Sequence, residues 1–388
     1  MLSDIKVLDL STLLPGPYAS MMLADLGAQV LRVESPERID LVREMAPKVG
    51  ASSAAHQYLN RSKRSIALDL KQPEAINIVH QLVAEHDIVL EQFRPGVMDR
   101  LGLGYAALKA INPQLIYCSI TGYGQSGPYR DRAGHDLNFL ALAGVSSYSR
   151  RAGQPPLPLG IQVADVAGGS LHSVIGILAA LHHRQRTGEG QMIDISMTDC
   201  AFALNGMSGA NALAGGVEPE AESEMLNGAS FYDYYQTKDD RYFSVGSLEP
   251  KFFKGLCQQL GRPDLADIGT RPSAQAELKQ TLSEIFKNKS FAEWQAIFAV
   301  EDICVEPVLS VSEAAKQPLM QQRDMVVEVT DSVTGSQPQI GCPIKFSAYK
   351  PAYGHAGGEV GSHGNEVLQQ LGLTETEIAA LRASKVVK

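Results

Sequence analysis

Over its first two hundred residues the chain alternates short apolar runs with segments of helical spacing, and this alternation restricts the fold more than any other feature. Residues 5–10 form an apolar run of strand length, 17–26 carry Ala19, Met22, Leu23 and Leu26 at helical spacing, and 29–33 return to a strand pattern. Strand-like 65–70, helical 73–85, strand-like 87–92, helical 105–111 and strand-like 114–121 continue the series. A strand can return parallel to its predecessor only through a crossover, and a helix is the usual one. The expected class is therefore α/β, with a parallel sheet covered by helices. A long helix is expected from Asp165 to about Arg186, its last turns holding His182, His183, Arg184 and Arg186, where positive charge suits the helix dipole. Gly188 to Gly190 ends it, and 191–196 re-enters the sheet.

At 388 residues the chain exceeds one ordinary domain. The expected division is a large Rossmann-like domain over 1–200, a linker over 201–227, a small α/β domain over 228–325, and a segment 326–388 returning to the large domain. The linker rests on Gly, Ala, Glu and Pro without periodicity. Beyond it, strand 241–245 and helices 249–260, 274–288 and 291–298 are expected. A strand pair at 325–329 and 339–346 flanks a Thr334-Gly335-Ser336 turn. Helices 365–371 and 374–383 follow, the second opened by Thr374 and Glu377 as a capping box.

Charge and cysteine content exclude several function classes. With 34 Lys and Arg against 43 Asp and Glu, the net charge of −9 argues against nucleic-acid binding, which needs many cationic contacts to phosphate. An anionic ligand requires a local basic cluster. Five scattered cysteines in no metal-ligand spacing point to a reducing cytoplasm, with no metal. The start, Met1 to Lys6, lacks a signal-peptide layout. The apolar run 163–181 contains Asp165, Ser170, His172 and Ser173, which suits a buried helix better than a membrane span.

Several segments in order carry a more specific message: Leu14-Pro-Gly-Pro-Tyr18, Leu23-Ala-Asp-Leu-Gly27, Asn60-Arg-Ser-Lys-Arg-Ser65, Phe93-Arg-Pro-Gly-Val97, Leu101-Gly-Leu-Gly104, Thr121-Gly-Tyr-Gly-Gln-Ser-Gly-Pro128, Ala133-Gly-His-Asp136, Asp165-Val-Ala-Gly-Gly169, Gly188 to Asp194 and Asn365-Glu-Val-Leu368. Together they resemble the class III CoA-transferase (CaiB/BaiF) superfamily, in its α-methylacyl-CoA racemase branch. The resemblance implies an interlocked homodimer whose active site lies between the large domain of one subunit and the small domain of the other. It also implies an acyl-CoA substrate, with CoA as its carrier portion and no further cofactor.

Both branches of that superfamily place an aspartate where Asp165 stands. The racemase branch is implied by the His135-Asp136 pair after Gly134, and by Gly246-Ser-Leu-Glu-Pro250 where transferases carry a glycine-rich loop. Inverting a stereocentre beside a thioester needs a base on each face of the α-carbon and a stabilised enolate between them. The resemblance assigns His135 to one face and Asp165 to the other, with Glu249 orienting the histidine. Backbone amides around His135 and Asp136 are assigned to the enolate oxygen. The alternative is a CoA-transferase working through an aspartyl anhydride at Asp165. For CoA, the basic cluster Arg61, Lys63 and Arg64 is expected on phosphate, Leu68 to Lys71 along the nucleotide, and Arg94 near the thioester arm. Many relatives carry Arg where Ser35 stands, so Arg38 or Arg43 is expected to substitute.

Overall fold

Six strands, β1 (Lys6–Asp9), β2 (Gln29–Glu34), β3 (Lys63–Ala67), β4 (Ile88–Glu91), β5 (Ile116–Thr121) and β6 (Met192–Ser196), form one sheet in the computed structural model. The structure describes residues 1–50, 52–269, 271–331 and 335–388. The spatial order is β3-β2-β1-β4-β5-β6 and every pairing is parallel. The expected α/β fold is the one the chain adopts. Every residue of β4 and β5 is buried, which is why these runs do not alternate apolar with polar; their buried polar groups Ser119 and Glu91 bond each other.

The crossovers are helical. Pro15 and Pro17 open α1 (Pro15–Asp25), and Pro73 opens α2 (Pro73–Glu85), where a missing N–H costs nothing. Helix α2 buries Ala75, Ile78, Val79, Leu82 and Val83, a stripe at three- and four-residue spacing. Each large side chain on it contributes about 1.5–3 kcal/mol of burial. Further along come α3 (Tyr105–Ile111) and α4 (Asp136–Leu142). The expected long helix is two pieces: a π-helical turn over Ala164–Leu171 running into α5 (His172–Thr187), closed by left-handed Gly188. By length and composition this stretch could cross a membrane, but half of its apolar window is buried and α5 packs on β5 and β6. Helix α6 (Met197–Ala203) lies against the π-helical turn.

The chain divides into two units. Unit 1 comprises Met1–Ala143, Leu159–Leu204 and Pro318–Lys388, and unit 2 comprises Gly144–Pro158 and Asn205–Gln317. The stretch 201–227, read above as a linker, carries α7 (Gly206–Gly215). Its glycines and alanines mark no apolar face, so its helical period is invisible in the sequence.

Unit 2 has a three-stranded antiparallel sheet, β7 (Asp233–Gln236), β8 (Tyr242–Val245) and β9 (Val305–Pro307), in the order β9-β8-β7. Its inner face packs on α8 (Pro250–Gln259), α9 (Gln275–Phe286) and α10 (Phe291–Phe298) through Phe231, Tyr235, Phe243 and Val245. The core is aromatic: Tyr235 stacks on Phe286 at 5.2 Å and Trp294 on Phe298 at 5.4 Å. The buried Trp294 indole N–H donates to the Phe286 carbonyl at 2.8 Å.

Within unit 1, β10 (Val326–Asp331) and β11 (Gly335–Ile340) form an antiparallel pair, and Thr334 of the expected turn lies outside the described residues. Then come α11 (Gly364–Gln370) and α12 (Glu375–Ala383). Thr374 and Glu377 form the expected capping box. Val367, Leu368, Ile378, Val386 and Val387 join the core beneath β2 and β3. The Asp69 N–H donates to Val386 O at 2.9 Å and Leu68 bridges Val387, so this segment covers the sheet edge at β3.

Candidate active site

The loop after β5 delivers His135 and Asp136. It is tied down by the Gln125 N–H donating to the Asp194 carboxylate at 2.9 Å and by Tyr123, which meets Tyr129 and Phe139 edge-on at 5.9 and 5.3 Å. Those rings explain the glycine before the histidine. A Cβ on Gly134 would stand 2.6 Å from the Phe139 ring and 2.7 Å from the Tyr123 hydroxyl, closer than carbon atoms approach. His135 is exposed at the N-cap of α4, and its N–H donates to Asn138 Oδ1 at 3.0 Å.

Asp165 sits at the start of the π-helical turn, a geometry concentrated at functional positions. The turn is seated on α1 and α6: Ser170 Oγ donates to Pro15 O at 2.7 Å, and a Cβ on Gly169 would meet Pro15 at 3.1 Å and Met197 at 3.2 Å. Asp136 joins the two segments, its Oδ1 accepting the Asp165 N–H at 3.0 Å. Burial, and then the Asp136 carboxylate, push Asp165 up to about 6, while the neighbouring His135 pulls in the opposite sense. The structure thus brings His135, Asp136 and Asp165 within electrostatic reach of one another in unit 1. A carboxyl group titrating near 6 can hold or accept a proton near neutrality. Deprotonated, it is also a nucleophile.

Glu249 belongs to unit 2. It is the exposed N-cap of α8, its carbonyl accepting the Phe253 N–H at 3.0 Å, and it ends the turn that leaves β8.

A cleft of about 620 Å³ opens at the carboxyl ends of β1 to β4, where the strand order reverses between β1 and β4. In doubly wound sheets ligands bind at such a reversal. Leu68, Lys71 and Arg94 line it, as does Arg38, the expected substitute for the arginine missing at Ser35. Arg38, Lys71 and Arg94 are exposed on its rim. Arg43 is buried instead, bonded to both Glu34 oxygens and to Gly358 O. Leu13, Ile39, Leu41, Phe93, Val97 and Leu101 supply apolar walls. No sequence signal separates these six from ordinary core residues.

The basic cluster expected on phosphate stands elsewhere. Arg61 is fully buried, with Nε and Nη2 on the two Asp25 oxygens at 2.9 and 2.5 Å. Lys63 is buried with its ammonium 3.4 Å from Asp9 and donating to Pro17 O at 2.9 Å. Arg64 pairs with Glu366 at 3.0 Å. The reason is strand direction: Lys63 and Arg64 open β3 and Leu68 follows its end, so a strand of five residues, roughly 16 Å, separates the cluster from the cleft. Two buried carboxylates, Asp9 and Asp25, claim the first two cations.

Residues 2–364 match the model of CoA-transferase family III. The chain is 35% identical over 394 residues to alpha-methylacyl-CoA racemase of Homo sapiens, covering 100% of this chain and 97% of the relative. It is 32% identical over 395 residues to succinyl-CoA–D-citramalate CoA-transferase of Chloroflexus aurantiacus, covering 100% and 98%. A solved CaiB/BaiF family protein from Brucella suis superposes with a TM-score of 0.85 at 33% identity, covering 95% of this chain and 99% of that one.

Proposed function

The chain belongs to CoA-transferase family III, and from that premise we propose that it inverts the α-carbon of 2-methylacyl-CoA thioesters by a two-base proton transfer. The observation that carries the proposal is the linkage of His135 and Asp165 through Asp136, with Asp165 raised to about 6. In one direction the neutral His135 imidazole removes the α-proton, and the C–H electron pair passes into the thioester carbonyl as an enolate. Protonated Asp165 then delivers a proton to the opposite face. The reverse reaction starts from the other tautomer of the pair, with His135 charged and Asp165 ionised. The Asp136 amide is assigned to the enolate oxygen, since the His135 amide is engaged by Asn138. Glu249 is proposed to hold the imidazole in the tautomer that the transfer needs.

CoA is assigned to the cleft at the strand ends, its phosphates to Arg38, Lys71 and Arg94, in place of Arg61, Lys63 and Arg64. Unit 1 exposes the large apolar side chains of Leu137, Leu142, Ile161, Ile175 and Phe202, and exposed apolar surface is where one protein chain meets another. A second copy of the chain is proposed to cover it. A cytoplasmic location is proposed from the five free cysteines.

The test is incubation of either enantiomer of a 2-methylacyl-CoA in deuterated water. Deuterium at the α-carbon and racemic product are expected, with exchange lost in His135→Ala while thioester binding persists. Unlabelled product rejects the reading. The second reading, CoA transfer, draws on the 32% identity to a transferase and on the Asp165 carboxylate. It requires a free acid acceptor and an acyl-aspartate at Asp165 that hydroxylamine traps.

A further inference from the structure

Glu91, the last residue of β4, is ionisable yet only 3% exposed, and the proton transfer does not use it. It stands at the carboxyl end of the sheet, where the chain turns into the cleft rim. Its Oε2 accepts the Phe93 N–H at 2.8 Å, and Phe93 and Arg94 line the cleft assigned to CoA. Its Oε1 accepts the Ser119 hydroxyl of β5. Ser119 Oγ in turn accepts the Gln125 side-chain N–H at 2.5 Å. Gln125 anchors the loop that delivers His135: its backbone N–H donates to Asp194, and its carbonyl accepts Arg130 Nε at 3.0 Å. A continuous chain of hydrogen bonds thus runs from the CoA rim to the histidine loop, with Glu91 at its middle. The next residue reaches toward the other base. Gln92 Oε1 accepts the Gly16 N–H at 2.9 Å, beside Pro15, whose carbonyl seats the π-helical turn of Asp165.

A carboxylate suits the middle of such a chain because it only accepts, and each of its oxygens takes one donor. The position is costly for it. Among the described residues no Lys or Arg pairs with Glu91. Burial pushes it up to about 7, against the bonds from Ser119 and Phe93, and the charges of Asp99 and Asp194 add to the rise. Tyr117 and Cys118 on β5 are further ionisable groups that feel its charge. Ionisable groups held at such a cost gather at functional sites.

We propose that Glu91 is a positioning residue for the proton transfer: through Ser119 and Gln125 it sets the His135 loop against the CoA rim, so that seating CoA steadies the imidazole. The inference rests on the racemase reading only for the role of His135.

The experiment compares the full chain with Glu91→Gln, Gln125→Ala and the double variant. In Glu91→Gln the amide oxygen keeps the Phe93 N–H, but its NH2 then meets Ser119 Oγ, which already receives Gln125. Calorimetry gives the affinity for CoA, deuterium labelling of the α-carbon gives kcat and KM, and backbone amide hydrogen exchange reports on residues 122–135. In the full chain CoA should slow amide exchange across 122–135. Each single variant should lose that protection, keep its affinity for CoA, and lose about tenfold to a hundredfold in kcat. The double variant should fall no further than Glu91→Gln, since both act through one chain. Glu91 is raised in the fold, so between pH 4.5 and 8 the thermal midpoint of Glu91→Gln should gain on that of the full chain. The opposite drift, the mark of a carboxylate that serves the fold, overturns the inference. So do kcat losses that add in the double variant, protection of 122–135 retained in both single variants, or no such protection in the full chain. A full chain with the amide pattern intact but no α-carbon labelling rejects the racemase reading alone.

Discussion

Replacing Asp136 by Asn tests the electrostatics of the candidate site at its most sensitive point. The amide oxygen still accepts the Asp165 N–H, now held at 3.0 Å, so the geometry survives while the negative charge disappears. Burial is the larger cause of the raised Asp165 and Asp136 the second. Losing the second lowers proton affinity by about tenfold, ~1.4 kcal/mol, out of the rise from 3.8 to about 6. In the two-base mechanism the active enzyme holds one proton between His135 and Asp165. As pH falls through the carboxyl's titration a second proton binds, no base remains, and kcat/KM drops. At pH 5 about one Asp165 in eleven is ionised if it titrates near 6, and roughly one in two after a tenfold loss of affinity. The variant should therefore retain about fivefold more of its own plateau activity at pH 5, with the acid limb moved down by about one pH unit. The assay is the rate of racemisation of a single enantiomer between pH 4.5 and 8. An acid limb that stays in place, or moves upward, would refute the coupling inferred for the pair.

Further outcomes follow from the same geometry. Asp165 is raised in the fold, so its ionisation opposes folding, and stability falls as pH rises from 3.8 to about 6. Asp165→Asn should abolish exchange yet raise the thermal midpoint at pH 7.5, by at most ~3 kcal/mol in stability, with the gain vanishing below pH 3.8. Gly134→Ala forces a methyl to 2.6 Å from Phe139 and should cost about 1–3 kcal/mol, read as a lower denaturation midpoint together with a loss of kcat. Arg61→Ala strands a buried Asp25 carboxylate and should destabilise by about 3–5 kcal/mol. Arg94→Ala and Lys71→Ala, on the cleft rim, should weaken CoA binding by calorimetry with little change in thermal midpoint. A weakened CoA affinity in a folded Arg61→Ala protein would restore the phosphate role to Arg61.

The parallel sheet was legible because its signal is periodic and local: buried β4 and β5 are mostly apolar without alternation, and α2 carries a clean stripe. The clustering of single residues was legible only where a motif carried it. His135 and Asp136 announced themselves beside Gly134, and the structure supplies the reason in the Phe139 and Tyr123 rings. The basic run at 61–64 misled because residue type does not reveal which end of a strand a side chain occupies. Nor does it reveal that Asp9 and Asp25, dozens of residues earlier, are buried and need counterions. The helix within 201–227 escaped because small residues define no face. The π-helical start at Asp165 depends on packing against Pro15 and Met197, a contact that no local pattern encodes.

The edge of the large sheet at β3 is closed by Val386 and Val387, and the 113 residues of Asn205 to Gln317 are translated before the segment that holds them. At ~5–20 residues per second, the ribosome needs roughly 6–23 s to make that intervening stretch. At the end of this interval β3 still has an uncovered flank, while the residues of the inserted unit's aromatic core have all been made. Folding on the ribosome should then run inside out, the insert first and its host afterwards, and chaperone demand should peak while the edge strand waits for its lid.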